Sequence, residues 1–292
     1  CDTYYYTLAR DMGVDLMYEQ MKPLGFGQIT GIDILGESRG VLPSTEWKRT
    51  TYKRADQQRW YSGETISLGI GQGYNSFTML QIAHAMGTVA NNGLKMKPHL
   101  VREVLDVETK TATPVAKEPV GQLPLSPENL DVIKRGMIGV NIEGTSATSF
   151  VGAPYVSAGK TGTAQVYTVK QNEKYNAANI DERMRDHALF VAFAPADDPK
   201  VALAMVVENA GFGAQNAAPI ARRVFDFVLT GQYPSQEDIE AVQKGQATRP
   251  IGKPRAVASV PWPPKAAELA VEEPIAAASA AERAASAAEK TA

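Results

Sequence analysis

Leu189-Phe190-Val191-Ala192-Phe193 is an unbroken apolar run, and the fold turns on how it is read. Five residues without polar alternation predict a strand covered on both faces. Ala196-Asp197-Asp198-Pro199 follows as a turn, and residues 201–207 return as a second strand. Upstream, residues 156–167 read as a third strand. Downstream, Asn216 is placed to cap a helix over 217–230, with Ile220, Ala221, Val224, Phe227 and Val228 on one face and Gly231 as its stop. Strands followed by an amphipathic helix predict an α+β fold: an antiparallel sheet with helices on its faces.

Working outward, the helical period recurs. Tyr5, Leu8, Ala9, Met12, Leu16 and Met17 mark two short helices over 4–21, broken at Gly13. Residues 22–70, rich in glycine and charge, read as an irregular excursion that Trp47, Trp60 and Tyr61 pack down. Ser76 is placed to cap a helix to Asn92, which Gly93 ends; Gln72 and Gly73 then read as its approach, with no chemical role. Residues 100–107 alternate as a strand. Ser126-Pro127 opens a helix to about residue 140. From residue 232 prolines interrupt an Ala, Glu, Lys and Ser background. Such a stretch buries too little to offset its ordering entropy, so 232–292 reads as a disordered tail, with transient helix over 276–288.

The chain has 292 residues, 44% hydrophobic, with a formal net charge of −2, so no basic field invites nucleic acid. Its single cysteine, Cys1, excludes an internal disulfide framework. His84, His99 and His187 are scattered; His84 reads as structural, and no metal or other cofactor is expected. His187, the Asp181, Glu182 and Asp186 carboxylates, and Tyr4, Tyr5 and Tyr6 read first as packing or solvated surface, with substrate contact as the secondary reading.

The chemistry-bearing stretch is Gly159-Lys160-Thr161-Gly162-Thr163, on the first strand of the sheet. Strand alternation sends Lys160 and Gly162 one way and Thr161 and Thr163 the other, so a local bulge is expected to bring ammonium and hydroxyls together. Gly162 allows a ligand backbone close approach. An edge strand here could pair with an extended peptide, and the cation and hydroxyls could hold its carboxylate. A phosphate-binding P-loop is excluded, because it needs glycine where Pro154 stands. A dinucleotide loop at Gly69, Gly71 and Gly73 is excluded by Tyr74.

With Gly159-Lys160-Thr161-Gly162-Thr163-Ala164-Gln165, with Gly71-Gln72-Gly73-Tyr74 ahead of a helix, and with Cys1-Asp2-Thr3-Tyr4-Tyr5-Tyr6 at its start, the chain resembles the class B penicillin-binding proteins. Tyr175-Asn176-Ala177 and Arg183-Met184-Arg185-Asp186-His187 resemble the elongation-specific branch of that family. The likeness covers residues 1–231 as the C-terminal part of a transpeptidase domain, a serine β-lactamase-like fold incomplete at its N-terminus. The family carries Ser-x-x-Lys, Ser-x-Asn and Lys-Thr-Gly elements. Lys160-Thr161-Gly162 matches the third. Asp2 takes the third position of the second, where many relatives have asparagine, and the serine of that element would precede Cys1. The Ser-x-x-Lys element is expected upstream.

The resemblance implies a catalytic set of Lys160, Thr161, Gly162, Thr163 and Asp2, and substrate binding by Lys160, Thr161, Thr163 and Gln165. Thr161 and Thr163 would hold the terminal carboxylate of a D-Ala-D-Ala stem peptide, and the Thr163 N–H would be one oxyanion donor. It also implies β-lactam binding, a RodA-type glycosyltransferase and MreC as partners, and a place on the periplasmic face of the inner membrane through an upstream single-pass anchor. Lacking the nucleophile, this chain alone is expected not to acylate. A D,D-carboxypeptidase, a β-lactamase-like hydrolase and a non-catalytic β-lactam sensor or scaffold are the alternatives.

Overall fold

The structure is a computed structural model that describes residues 2–166, 176, 179–246 and 248–260. Helices α1 (Asp2–Met12) and α2 (Val14–Met21) are separated at Gly13, as its position in the helical pattern predicts. Its φ of +75° is a conformation that glycine adopts without a Cβ penalty. The excursion is more ordered than its composition suggests. It holds three short helices, α3 (Thr45–Thr51), α4 (Ala55–Gln58) and α5 (Ser62–Leu68). Buried Lys48 forms an ion pair with Glu64, and the Lys48 ammonium lies 5.4–5.6 Å from the ring centroids of Trp60, Tyr61 and Tyr74. A cation and its aromatic cage hold this part together, alongside a small apolar cluster at Phe26 and Leu42.

Helix α6 (Met79–Ala90) is capped by Thr78 and not by Ser76. Thr78 and Gln81 exchange hydrogen bonds as a capping box, while the Ser76 backbone bridges to Val41. Two small ribbons follow. Strand β1 (Leu94–Met96) pairs with β4 (Pro119–Gln122), and β2 (Glu103–Leu105) with β3 (Ala112–Pro114). Only three residues of the expected 100–107 strand are therefore extended and paired. Helix α7 (Pro127–Ile142) starts on Ser126, whose hydroxyl accepts the Asn129 N–H, and a four-residue α8 (Ala147–Phe150) follows.

The central sheet has the order β5 (Ala158–Ala164), β6 (His187–Ala194), β7 (Val201–Val207), antiparallel throughout. The apolar run lies at its middle. Phe190 and Phe193, of opposite strand parity, are both fully buried. Phe190 packs with Phe150, Ala218, Ala221 and Phe225 on one face. Phe193 packs with Ala158, Val89, Leu123 and Leu130 on the other. Burial of one such ring contributes about 1.5–3 kcal/mol, and here both faces gain it. The first face is covered by α9 (Gly213–Asn216) and α10 (Ala218–Thr230). Asn216 does not cap: its amide donates to the Ala210 carbonyl at 2.5 Å, and α9 runs into α10 through Ala217. Gly231, at φ +67°, ends α10.

The chain continues beyond Gly231 into β8 (Gln232–Tyr233), α11 (Gln236–Gln243) and β9 (Arg255–Ala256), the last paired with β8. Sequence alone places the start of a tail here. The segment docks by polar contacts that a count of apolar residues misses. Asp238 is fully buried and takes both Nε (2.7 Å) and Nη2 (2.5 Å) of Arg223, the Ser235 hydroxyl donates to the Ile251 carbonyl, and Arg255 donates to the Pro234 carbonyl. The helical expectation for 276–288 lies outside the described residues. Among the described residues no helix is long and apolar enough to cross a membrane.

Candidate active site

Strand β5 is the edge of the central sheet, and it carries the Lys-Thr-Gly stretch. Its pairing with β6 runs without interruption from Ala158–Phe193 to Ala164–His187, so the expected bulge is not there. Lys160 and Gly162 share one face, and Thr161 and Thr163 the other. The ammonium reaches the common margin by another route: the Lys160 side chain curls round the edge and Nζ donates to the Thr161 carbonyl at 2.6 Å. In an antiparallel strand the N–H and C=O of alternate residues point the same way. The Thr161 and Thr163 carbonyls and the Gln165 N–H all meet groups outside the sheet, so this parity lies on the free edge. The Thr163 N–H shares it.

The Lys160 side chain reaches solvent, yet packing around its stem desolvates the charge and lowers its pKa below the ordinary lysine value. Asp2, on the first turn of α1, opposes that shift from a distance. The Thr161 hydroxyl lies 2.9 Å from that of Thr145, a residue the sequence reading did not single out. Gly162 sits where a Cβ would approach the Leu189 Cβ to 3.2 Å, and a Cβ on Gly213 would come within 2.5 Å of the Gly162 carbonyl oxygen. Glycine at 213 lets α9 lie against the strand, and glycine at 162 leaves room for the Leu189 side chain.

Gln72, read from the sequence as the approach to α6, also reaches the motif strand. Its amide donates to the Thr163 carbonyl at 2.7 Å and accepts from the Gln165 N–H at 3.4 Å. No local signal betrays a contact between residues 91 positions apart. The approach to α6 thereby meets the motif strand.

One Ser-x-x-Lys spacing does occur in the chain, at Ser157-Ala158-Gly159-Lys160. It does not form the helical element of that pattern. Ser157 precedes a strand, is buried, and its hydroxyl accepts from the Asn141 amide at 2.9 Å. Lys160, three residues on along extended backbone, projects to the opposite face.

The remaining candidates take structural places. His187 Nδ1 accepts the Asn209 N–H at 2.9 Å, and His84 Nε2 lies 2.6 Å from the Met96 carbonyl. Asp181 caps a short turn at Arg183, and Asp186 is buried with its carboxylate on the Val166 N–H. Trp47 and Trp60 pack on Tyr74 as expected. Tyr4 and Tyr5 stack edge to face and remain exposed. Tyr175 and Ala177 lie outside the described residues. Among the described residues no group of three or more His, Cys, Asp or Glu side chains could hold a metal ion.

Comparison with known proteins agrees with this geometry. Residues 1–226 match the penicillin binding protein transpeptidase domain. The chain is similar to peptidoglycan D,D-transpeptidase MrdA of Haemophilus influenzae, 42% identical over 241 residues, covering 81% of this chain and 36% of that protein. The chain thus spans about a third of the length of the curated relatives it matches. Among solved structures it is similar to Pseudomonas aeruginosa PBP2 in complex with WCK 5153, with a TM-score of 0.64 and 38% identity over 78% of this chain and 45% of that one. It is also similar to PBP2 of Helicobacter pylori in complex with MreC, with a TM-score of 0.61 and 26% identity over 78% of this chain and 38% of that one. An edge strand bearing Lys160, Thr161 and Thr163 and a family match over 226 residues together show that the chain belongs to the penicillin-binding protein transpeptidase family.

Proposed function

We propose that this chain is the part of a peptidoglycan D,D-transpeptidase that holds the donor stem peptide. The observation that carries the reading is the open margin of β5, where an ammonium, two flanking threonines and an outward N–H line a strand edge. An extended peptide ending in D-Ala-D-Ala pairs along that margin, and Lys160, Thr161 and Thr163 take its carboxylate. A serine Oγ supplied by residues outside this chain attacks the carbonyl of the penultimate D-alanine. The C–N bond breaks, the terminal D-alanine leaves with a proton, and an acyl-serine remains. The amine of a second stem peptide then attacks the ester, forms the cross-link and returns the serine its proton. The Thr163 N–H donates to the oxyanion in both steps; one such donor is worth about 3–4 kcal/mol of barrier. By likeness to the elongation branch, our reading puts this work on the periplasmic face of the inner membrane, with an upstream anchor and with a RodA-type glycosyltransferase and MreC as partners.

Fluorescent penicillin tests the reading. A polypeptide extended upstream to include a helical Ser-x-x-Lys takes the label covalently, and the 292-residue chain alone does not. Label on the short chain, or none on the extended one, overturns it. Supplying an amine acceptor then separates cross-linked product from the hydrolysed product of a carboxypeptidase.

A further inference from the structure

We infer that Gln72 is a positioning residue of the substrate-binding edge: its side-chain amide occupies the place of a neighbouring strand's peptide unit and fixes the end of β5 beside Thr163. The inference rests on the transpeptidase reading and adds a residue to it.

The amide offers one donor to the Thr163 carbonyl and one acceptor to the Gln165 N–H. That is the pairing pattern of a peptide group, turned onto the strand from a side chain. The opposite orientation of the amide would set carbonyl against carbonyl, so the pattern itself fixes which end is nitrogen. The two contacts hold the peptide units on either side of Ala164. They therefore constrain the backbone immediately after Thr163, whose N–H and side chain face the bound peptide.

The loop that presents Gln72 is itself built rigidly. Gly71 and Gly73 flank it at φ +79° and +73°, in the left-handed region, and a Cβ on Gly73 would strike the Ser67 hydroxyl at 2.6 Å. The Gln72 N–H donates to the Ser67 carbonyl at 3.0 Å, and its own carbonyl accepts from the Asn75 amide at 3.3 Å. Two residues on, the Tyr74 hydroxyl donates to Glu64 at 2.9 Å, and Glu64 is the partner of buried Lys48. The helices of the excursion thus anchor the loop, the loop fixes the amide, and the amide fixes the strand. A side chain that only approached a helix start would need none of this.

The experiment uses the extended polypeptide together with Gln72→Ala and Gln72→Glu. The glutamate keeps the length and the acceptor but, ionised, cannot donate to the Thr163 carbonyl. Stopped-flow acylation by fluorescent penicillin separates the dissociation constant from the acylation rate constant. Both variants are expected to lose roughly 10–100-fold in the rate constant, the scale of a reacting group misplaced by about 1 Å, with a smaller change in the dissociation constant. Amide hydrogen exchange on the 292-residue chain itself reads the clamp without any chemistry, and the Gln165 amide is expected to exchange faster in Gln72→Ala. Unchanged acylation rate constants in variants of an active parent overturn the positioning role and leave the transpeptidase reading standing, as does unchanged exchange at Gln165. A parent polypeptide that takes no label overturns the transpeptidase reading and the inference with it.

Discussion

Replacing Asp238 with alanine tests how the segment beyond Gly231 is held. Asp238 is fully buried, and the Arg223 side chain is 8% exposed. The carboxylate accepts two bonds from the guanidinium and a third from the Ile251 N–H at 3.1 Å. Removing it leaves a buried cation with Nε and Nη2 unpaired and only Nη1 still bonded, to the Pro219 carbonyl. Breaking a buried pair from one side costs about 3–5 kcal/mol, because the remaining charge has lost both water and partner. At about 2–4 °C per kcal/mol for a domain of this size, the melting temperature falls by roughly 6–20 °C. A ceiling applies: once the penalty exceeds the docking energy of α11, that helix releases and water reaches Arg223. Hydrogen exchange over Gln236–Gln243 then reports the loss locally, even where the global melt moves less. Two controls sharpen the test. Arg223→Met with Asp238→Leu removes both charges and is expected to recover most of the stability. Removing Glu46, whose partner Arg49 is 65% exposed, is expected to cost under about 1 kcal/mol. If Asp238→Ala melts within about 2 °C of the parent and α11 keeps its protection, the pair does not hold the segment and the reasoning fails.

Two further outcomes follow from the site. Gly213→Ala places a Cβ 2.2 Å from the Leu189 carbonyl oxygen and 2.5 Å from that of Gly162, contacts with backbone that no rotamer change relieves; about 1–3 kcal/mol is expected, read by urea denaturation, and a neutral result would refute the close packing of α9 on the strand. Asp2→Asn removes the carboxylate that raises the Lys160 pKa against desolvation, so the lysine is expected to titrate lower still; a carbon-13 titration of Lys160 that moves upward or stays in place would refute that influence.

The hairpin was readable because an apolar run, a turn and a second run obey the strand period locally, and because Phe190 and Phe193 need cover from both faces. The motif strand was readable as a strand from its residues, but its chemistry only through the family resemblance, since a lysine and two threonines about Gly162 alone suit a plain surface strand as well. What escaped was nonlocal or polar. Gln72 meets Thr163 across 91 positions, and Thr145 meets Thr161 from the loop after α7. The capping residue of α6 was misplaced by two because Thr78 has Gln81 at the reciprocal position, whereas the Ser76 backbone is committed to Val41. The expected bulge failed because strand alternation was applied to Cα positions, while a lysine stem is long enough to cross the edge. Residues 232–246 and 248–260 look unable to fold on composition, since one buried ion pair and a few side-chain to backbone bonds replace an apolar core.

An open sheet margin that recruits a peptide would recruit a second copy of itself as readily. Natural sheets guard against such fibre-like growth with charge, short length and side chains that consume pairing groups. Strand β5 shows the first and third: it has Lys160 folded over one stretch of the margin and Gln72 closing its far end. The same two side chains that prepare the strand for a short ligand therefore act as gatekeepers against aggregation, and solubility and recognition draw on one set of atoms.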